Sequence, residues 1–586
     1  MADDEGRHHF LLVVYGFQSH LNPGRVLAHR LARLGADGSV LATLSVPAAT
    51  YRRMFPSPDA AATAETTTTD GVISYVPYSD GVDDGSWGKD ADDRALRRRA
   101  SSESLSAIVA RFANRGQPVT CIMCTMMLLP VLDVARERNI PVAICWIQPA
   151  TLLAITYHYF HGYDDLIASH ATDPAYEVCL PGLSRPLEIS NFPSFLTDTS
   201  GSESTKAFIE VFQELFEYMD QWRPKVLVNT FGELEANVLR EMKRHLDVFT
   251  VGPMVGSSTE ARIHLFKHDD VDEKRYMEWL QAHPEKSVVY VSSGSVTKYT
   301  KRQMDEIVGG LRQCGRPYLL VVRKDDESHS LEDHTQGQGM VVEWCNQLEV
   351  LSHSAVGCFV SHCGWNSTIE AMASGVPIIG VPNMFDQPTN TYLVDKEWEI
   401  GIKGERNGDG VLTGTELARC IELVMGEGAK AKAIRERAKA LKEMAQASAS
   451  RGGSAERNLR DFVKTIQRNL KVDLAKLAEA VGLGDATVRA LDKVVMPQLA
   501  SWIRCSQDRM HELEMATTRT ALFSLFRSSV MPPCSLLCLC SSVVLSRVVL
   551  PGAGAVLFCF FFLFLLCTVI LPMLSAGVLF NIYEFW

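Results

Sequence analysis

Between Trp344 and Gln387 the chain reads WCNQLEVLSHSAVGCFVSHCGWNSTIEAMASGVPIIGVPNMFDQ. A flat Trp344 ring can stack on a nucleobase, Gln347 can hydrogen-bond the base or its ribose, and Glu370 can accept from both ribose hydroxyls. Asp386-Gln387 can grip the hydroxyls of a sugar. Between these ends, VGCFVSHCGWNSTIEAMASG reads as a buried strand ending near His362, a tight turn at Cys363-Gly364, and a helix starting at Asn366 or Ser367. A helix N-terminus carries free N–H groups and a partial positive charge, so a strand running into it aims a seat for a diphosphate. Ser367 and Glu370 also have the spacing of a capping box, and those two alone could serve only to start the helix. Capping leaves Trp344, Gln347, His362, Trp365 and the Asp386-Gln387 pair unexplained. Together they describe a nucleotide sugar.

The elements that must position these residues are of one kind. FLLVV at 10–14, then YGFQSHLNPG, then RVLAHRLARLG read as strand, loop and helix, and the order recurs at VTCIMC with LPVLDVARERN and at PVAICWI. This predicts a parallel sheet covered by helices. A second series begins after the Gly-, Ser- and charge-rich stretch 252–275, with SVVYVSSGS, a helix around RQMDEIVGGLRQCG, and PYLLVVRK. The expected boundary lies near residue 250, with a ligand held between the carboxyl ends of two facing sheets. The chain of 586 residues is too long for one core. Its 58 Lys+Arg against 69 Asp+Glu give −11, which argues against a nucleic-acid backbone as the main partner.

The stretch from Trp344 to Gln387 resembles the signature box of plant secondary-product glycosyltransferases, which transfer sugars from uridine diphosphate donors to small acceptors. The resemblance runs over roughly residues 8–470 and implies the two-domain GT-B fold, α/β with two Rossmann-like domains across a cleft: 1–250 for the acceptor and 251–470 for the UDP-sugar. It also implies inversion at the anomeric carbon, no required metal, UDP-glucose as donor substrate, and a monomer. By matching positions, Trp344 stacks on uracil, Gln347 meets the nucleoside, and Glu370 takes the ribose. His362, Asn366, Ser367 and Ser295 meet the diphosphate, and Trp365, Asp386 and Gln387 line the sugar, the final Gln being associated with glucose.

The same resemblance places the general base in the first loop. Here it reads Gln18-Ser19-His20-Leu21-Asn22-Pro23, with Ser19 where relatives have Gly, so His20 is the base. A neutral imidazole at the carboxyl end of a first strand has a pKa suited to taking a hydroxyl proton near neutral pH. Many relatives orient that His with an Asp, and here Thr125 stands at that position. Thr can accept a hydrogen bond but cannot neutralise an imidazolium; Asp133 on the following helix is a candidate substitute, its simpler reading being a surface residue of that helix. WIQPAT at 146–151, YHYFHGYDDL, LPGL and FPSFL look like the branch of anthocyanin 5-O-glucosyltransferases and glucose-ester formers, in which Thr is familiar here. The function implied is glucose transfer to a hydroxyl of a flavonoid, anthocyanin or other small phenolic. The alternatives are glucose-ester formation on an aromatic or hormone carboxylic acid, and a catalytically silent membrane-anchored binder of nucleotide sugar. Variable loops such as PYSDGVDDGSWG would build the acceptor pocket.

The compartment follows from the ends and the cysteines. MADDEGRHHF lacks the basic-then-apolar order of a signal peptide, and Cys121, Cys124, Cys145, Cys179, Cys314, Cys345, Cys358, Cys363 and Cys420 lack zinc or disulfide spacing. A cytoplasmic chain with reduced thiols is expected. Residues 471–586 form an atypical tail: an amphipathic helical pair whose charges cancel, unlike a DNA reader, then Val548 to Phe580 without one charge. That run is longer than the roughly 20 residues that span a bilayer. It reads either as a transmembrane segment, with membrane association through 548–580, or as a gene-model artefact.

Overall fold

The structure is a computed structural model that describes residues 8–35, 39–56, 66–82, 91–256, 270–296, 299–323 and 338–481. All of them fall in one compact unit, Met1–Gln507. The 548–580 run, residues 83–88 of the PYSDGVDDGSWG loop, and the second half of the amphipathic pair lie outside the described residues. Among the described residues no helix is long and apolar enough to cross a membrane.

Strands β1 (His8–Val13), β2 (Val40–Pro47), β3 (Thr68–Thr69), β4 (Ser74–Tyr78), β5 (Cys121–Thr125) and β6 (Val142–Trp146) come first along the chain. A small antiparallel hairpin, β7 (Glu177–Val178) with β8 (Leu187–Glu188), precedes β9 (Lys225–Val228) and β10 (Asp247–Thr250). The first sheet has the order β10-β9-β6-β5-β1-β2-β4-β3, parallel except for β3. Phe10, Leu12 and Val14 face one core while Leu11 and Val13 face the other, the period-2 alternation of a strand covered by helices on both sides. The second sheet uses β11 (Val288–Ser292), β12 (Tyr318–Val321), β13 (Gly339–Val342), β14 (Val356–Ser361), β15 (Ile378–Gly380) and β16 (Gly401–Lys403). It is parallel throughout, in the order β13-β12-β11-β14-β15-β16, with Val288 and Tyr290 in one core and Val289 and Val291 in the other. This is the GT-B arrangement.

Among its parallel strands each sheet reverses its strand order once. In the first the reversal falls between β1 and β5, with Val13 beside Cys124, and in the second between β11 and β14, with Ser292 beside Ser361. Loops leaving the carboxyl ends of such neighbouring strands diverge and open a crevice. His20 follows β1, Thr125 ends β5, Ser295 follows β11 and His362 follows β14.

The last helix, Ser454–Val481, departs from a simple two-part division of the chain. Leu459, Phe462, Val463 and Ile466 pack into the core of the first sheet, Phe462 lying 5.9 Å from Phe10 and 5.8 Å from Phe249 between ring centroids. The chain therefore crosses from the first body to the second after Thr250 and returns at Ser450–Gly453.

Candidate functional site

The segment expected as a loop after β1 is helical from Gln18, so His20 sits in the first turn of the helix Gln18–Leu34, where the His20 and Leu21 N–H groups both donate to the Phe17 carbonyl. Pro23 lies within this helix. Having no N–H, it leaves the Ser19 carbonyl without its i−4 partner. That carbonyl instead accepts from Asn366 Nδ2 of the second body at 2.9 Å. A helical defect beside His20 thus becomes a bond to the N-terminal turn of the helix Trp365–Ser374.

His20 Nδ1 lies 2.9 Å from Thr125 Oγ1, and Thr125 is 1% exposed. With Nδ1–H donating to the hydroxyl, Nε2 keeps the lone pair that a base needs. Tyr15 and Phe17 flank the imidazole at ring-centroid distances of 5.4 and 6.1 Å. Burial pushes the His20 pKa down to about 3, not the near-neutral value expected, because a hydroxyl cannot repay the lost solvation of an imidazolium as a carboxylate would. Asp133 is not that carboxylate: it grips Arg98 at 2.7 and 2.8 Å and accepts from Arg136 at 2.7 Å.

On the second body the donor helix, Trp365–Ser374, begins one residue earlier than expected. Gly364 is its N-cap and no side chain caps it, so the Ser367–Glu370 capping box does not form. Both side chains instead accept from Gln347 Nε2, at 2.9 and 2.8 Å, while Gln347 Oε1 accepts from the Tyr290 hydroxyl at 3.3 Å. Gln347, Ser367 and Glu370 are therefore one wired group, with half-buried Trp344 on the loop just before it. His362 is held between two glycines. A Cβ on Gly294 would stand 2.4 Å from the ring's Cε1, and one on Gly364 2.5 Å from Nε2. Gly294 also has φ +79, open to glycine and little else. Burial first, and the Arg323 charge second, pull the His362 pKa down to about 4. Ser295, half-buried, follows Gly294 in the same loop.

After β15, Asp386 accepts from the Trp365 N–H at 3.2 Å and from Asn390 Nδ2 at 2.6 Å. Burial outweighs these bonds and raises its pKa to about 6. Gln387 Oε1 accepts from the Asn383 and Met384 N–H groups at 2.9 and 3.2 Å. With its oxygen so engaged, Gln387 has its NH2 left to donate to a hydroxyl and cannot both donate and accept. Trp365 differs more. Its indole is buried, donates to the Asn229 carbonyl at 3.0 Å and packs 5.9 Å from Trp398, and its backbone N–H is taken by Asp386, so it acts here by holding that carboxylate.

Several participants had no sequence forecast. Phe385 has φ +57, a left-handed value unusual for a bulky residue. It is clamped by Ser194, whose N–H donates to its carbonyl at 2.9 Å and whose Oγ accepts from its N–H at 2.7 Å. Asn390 was readable in principle, four residues after Asp386 on one helical face. A small cleft open to solvent runs between the bodies, lined by Asn22, Arg25 and His29 of the first helix and by Asn366, Ile369 and Glu370 of the helix Trp365–Ser374. Behind it Arg25 and Asp70 both bond the Tyr75 hydroxyl at 2.7 Å, and His29 meets Asp70 at 2.9 Å.

Two facing Rossmann-like bodies, with an imidazole at one switch point and a helix N-terminus at the other, define a glycosyltransferase of the GT-B type. The chain belongs to family 1 of the UDP-glycosyltransferases. Residues 210–435 match the family described as UDP-glucoronosyl and UDP-glucosyl transferase. UDP-glycosyltransferase 75C1 of Solanum lycopersicum is 38% identical over 481 residues, covering 79% of this chain and 99% of that protein. Anthocyanidin 3-O-glucoside 5-O-glucosyltransferase 1 of Perilla frutescens is 35% identical over 478 residues, covering 79% and 99%. Among solved structures, Os79 from O. sativa in complex with UDP superposes with a TM-score of 0.64 at 28% identity, covering 78% of this chain and 100% of that one.

Proposed function

We propose that this enzyme transfers glucose from UDP-glucose, with inversion, to a hydroxyl of a small aromatic acceptor of the flavonoid or anthocyanin type, the class named for its Perilla relative. The observation that carries the reading is the 2.9 Å bond from Asn366 to the Ser19 carbonyl, because it puts the residue beside the base against the diphosphate seat. In this reading the first sheet carries the acceptor and the second the donor. Trp344, Gln347 and Glu370 hold the nucleoside, while Ser295, His362, Asn366 and Ser367 meet the diphosphate. Asp386, held by the Trp365 N–H, and the NH2 of Gln387 hold the sugar.

His20 Nε2 takes the acceptor's proton as its oxygen attacks the anomeric carbon from the face opposite the diphosphate. Negative charge grows on the leaving group, where the donor helix's free N–H groups meet it in place of a metal. Tyr15 and Phe17, beside the His20 ring, make its surroundings aromatic and suited to a flat acceptor. All these groups come from one chain, so a monomer suffices.

Thr125 also favours a second reading. A carboxylic acid arrives ionised and needs almost no base, so a site without a carboxylate beside His20 suits glucose-ester formation too. One experiment separates them: incubate the chain with UDP-glucose, EDTA, and a panel of phenols and aromatic acids, and measure UDP release and product. We expect phenol glucosides, and His20→Ala should lose about 10²- to 10⁴-fold in kcat/KM with phenols while donor binding survives. Donor retained without UDP release would make this a binder, and a His20→Ala rate within about twofold of wild type would remove His20 as the base.

A further inference from the structure

The WIQPAT stretch contributes no residue to the site described so far, yet it leads directly to it. Thr125, which holds the base, pairs with Cys145 on β6, so Gln148 leaves the sheet on the strand next to the base. The loop around it is tightly held. Trp146 Nε1 donates to the Pro149 carbonyl at 3.2 Å, and Glu235 accepts from the Ala150 N–H, the Thr151 N–H and the Thr151 hydroxyl at 2.9, 2.7 and 2.7 Å. A bonded path leads from it to the sugar end: the Asn229 N–H donates to the Trp146 carbonyl at 2.9 Å, Trp365 Nε1 donates to the Asn229 carbonyl, and the Trp365 N–H donates to Asp386. Hydrogen bonding from Gln148 is one of the smaller influences lowering the Asp386 pKa against its burial, which sets the Gln148 NH2 toward that carboxylate.

In this rigid setting Gln148 Oε1 is buried and has no hydrogen-bond partner among the described residues. Turning the carboxamide over offers no relief, since an oxygen would then face the Asp386 carboxylate. A buried acceptor left unbonded destabilises a fold, and one that persists on a pinned loop is matched to a donor that arrives later.

We propose that Gln148 is a sugar-binding residue supplied by the first body, its Oε1 accepting a hydrogen bond from a hydroxyl of the donor hexose held at Asp386 and Gln387. This rests on the reading that the Asp386 end of the site takes the sugar. The first body would then sense the sugar directly, and glucose recognition would be complete only with both bodies in contact.

The test uses the full chain and calorimetric titration with UDP and with UDP-glucose, without acceptor. Gln148→Met keeps the side-chain length and removes the acceptor atom, and Gln148→Leu is a second apolar variant. Each should raise the ratio of Kd for UDP-glucose to Kd for UDP by about 3- to 10-fold, the worth of one hydrogen bond. Without ligand each variant loses both the unbonded oxygen and the bond from the Gln148 NH2 to Asp386, which act in opposite directions on stability, so the Kd ratio and not the unfolding temperature decides the role. Asp386→Asn is the control for the underlying reading. If Asp386→Asn leaves the ratio unmoved, the sugar does not bind there and the reading fails. If Asp386→Asn shifts the ratio and both Gln148 variants leave it within about twofold, or raise only the acceptor KM, the Gln148 proposal is overturned.

Discussion

At the scale of single residues, burial reverses the usual order of an imidazole and a carboxyl: His20 is pushed down to about 3 and Asp386 up to about 6. In the proposed mechanism the working forms are neutral His20 and ionised Asp386. His20 stays neutral far below pH 6, so in that mechanism acid does not disable His20 first; it removes the Asp386 charge proposed to accept from a sugar hydroxyl. In the wild type, kcat/KM with a phenol should therefore fall below about pH 6, and a pH–rate profile of Asp386→Asn should lack that limb, although its plateau is lower. A limb that persists in Asp386→Asn would assign it to another group. Thr125→Asp should raise the His20 pKa by stabilising the imidazolium, moving a second limb into the measurable range.

At the scale of elements, the glycine of the loop after β11 and the imidazole after β14 form one fitted unit. Gly294→Ala would suffer twice, from a left-handed φ that destabilises by about 1–2 kcal/mol and from contact with the His362 ring. Gly315, at φ +65 with nothing within 4 Å of the place an added methyl would take, isolates the first effect. Thermal unfolding should show both alanine variants destabilised, while UDP binding should weaken only for Gly294→Ala. Equal UDP affinity in the two would detach that glycine from the site. The strands were legible because apolar runs such as FLLVV, CIMC and VVYVS fill both faces of a covered parallel sheet, and the donor helix because a strand and glycine turn precede it. Gln347, Ser367 and Glu370 could be named from the same pattern. What stayed hidden depends on residues distant in the chain. Pro23 marks a missing bond, but not that Asn366 would fill it. FPSFL gives no sign that Ser194 would clamp a left-handed Phe385, and an Asp-Gln pair does not disclose that the Gln oxygen is already taken by Asn383 and Met384.

At the scale of the whole molecule, the last helix closes the first sheet's core with Leu459, Phe462, Val463 and Ile466, and Asn458 Nδ2 donates to the Thr250 carbonyl and hydroxyl at 2.8 Å. A chain ending before Ser454 would leave those apolar neighbours in water, and each buried Leu, Ile or Phe is worth about 1.5–3 kcal/mol. It should be insoluble or inactive, whereas a chain ending after Val481 should keep wild-type kcat/KM; activity in the shorter form would show that helix to be dispensable. The return crossing has a mechanical consequence. Ser448 Oγ, on the way back, donates to the Gly252 carbonyl on the way out at 3.1 Å, and Arg30 of the first helix grips the Val251 and Pro253 carbonyls beside it. A single tether would let one body slide, twist or swing against the other. Two strands of chain bound side by side act like the spine of a book, resisting shear and torsion and leaving a swing about that edge as the soft motion.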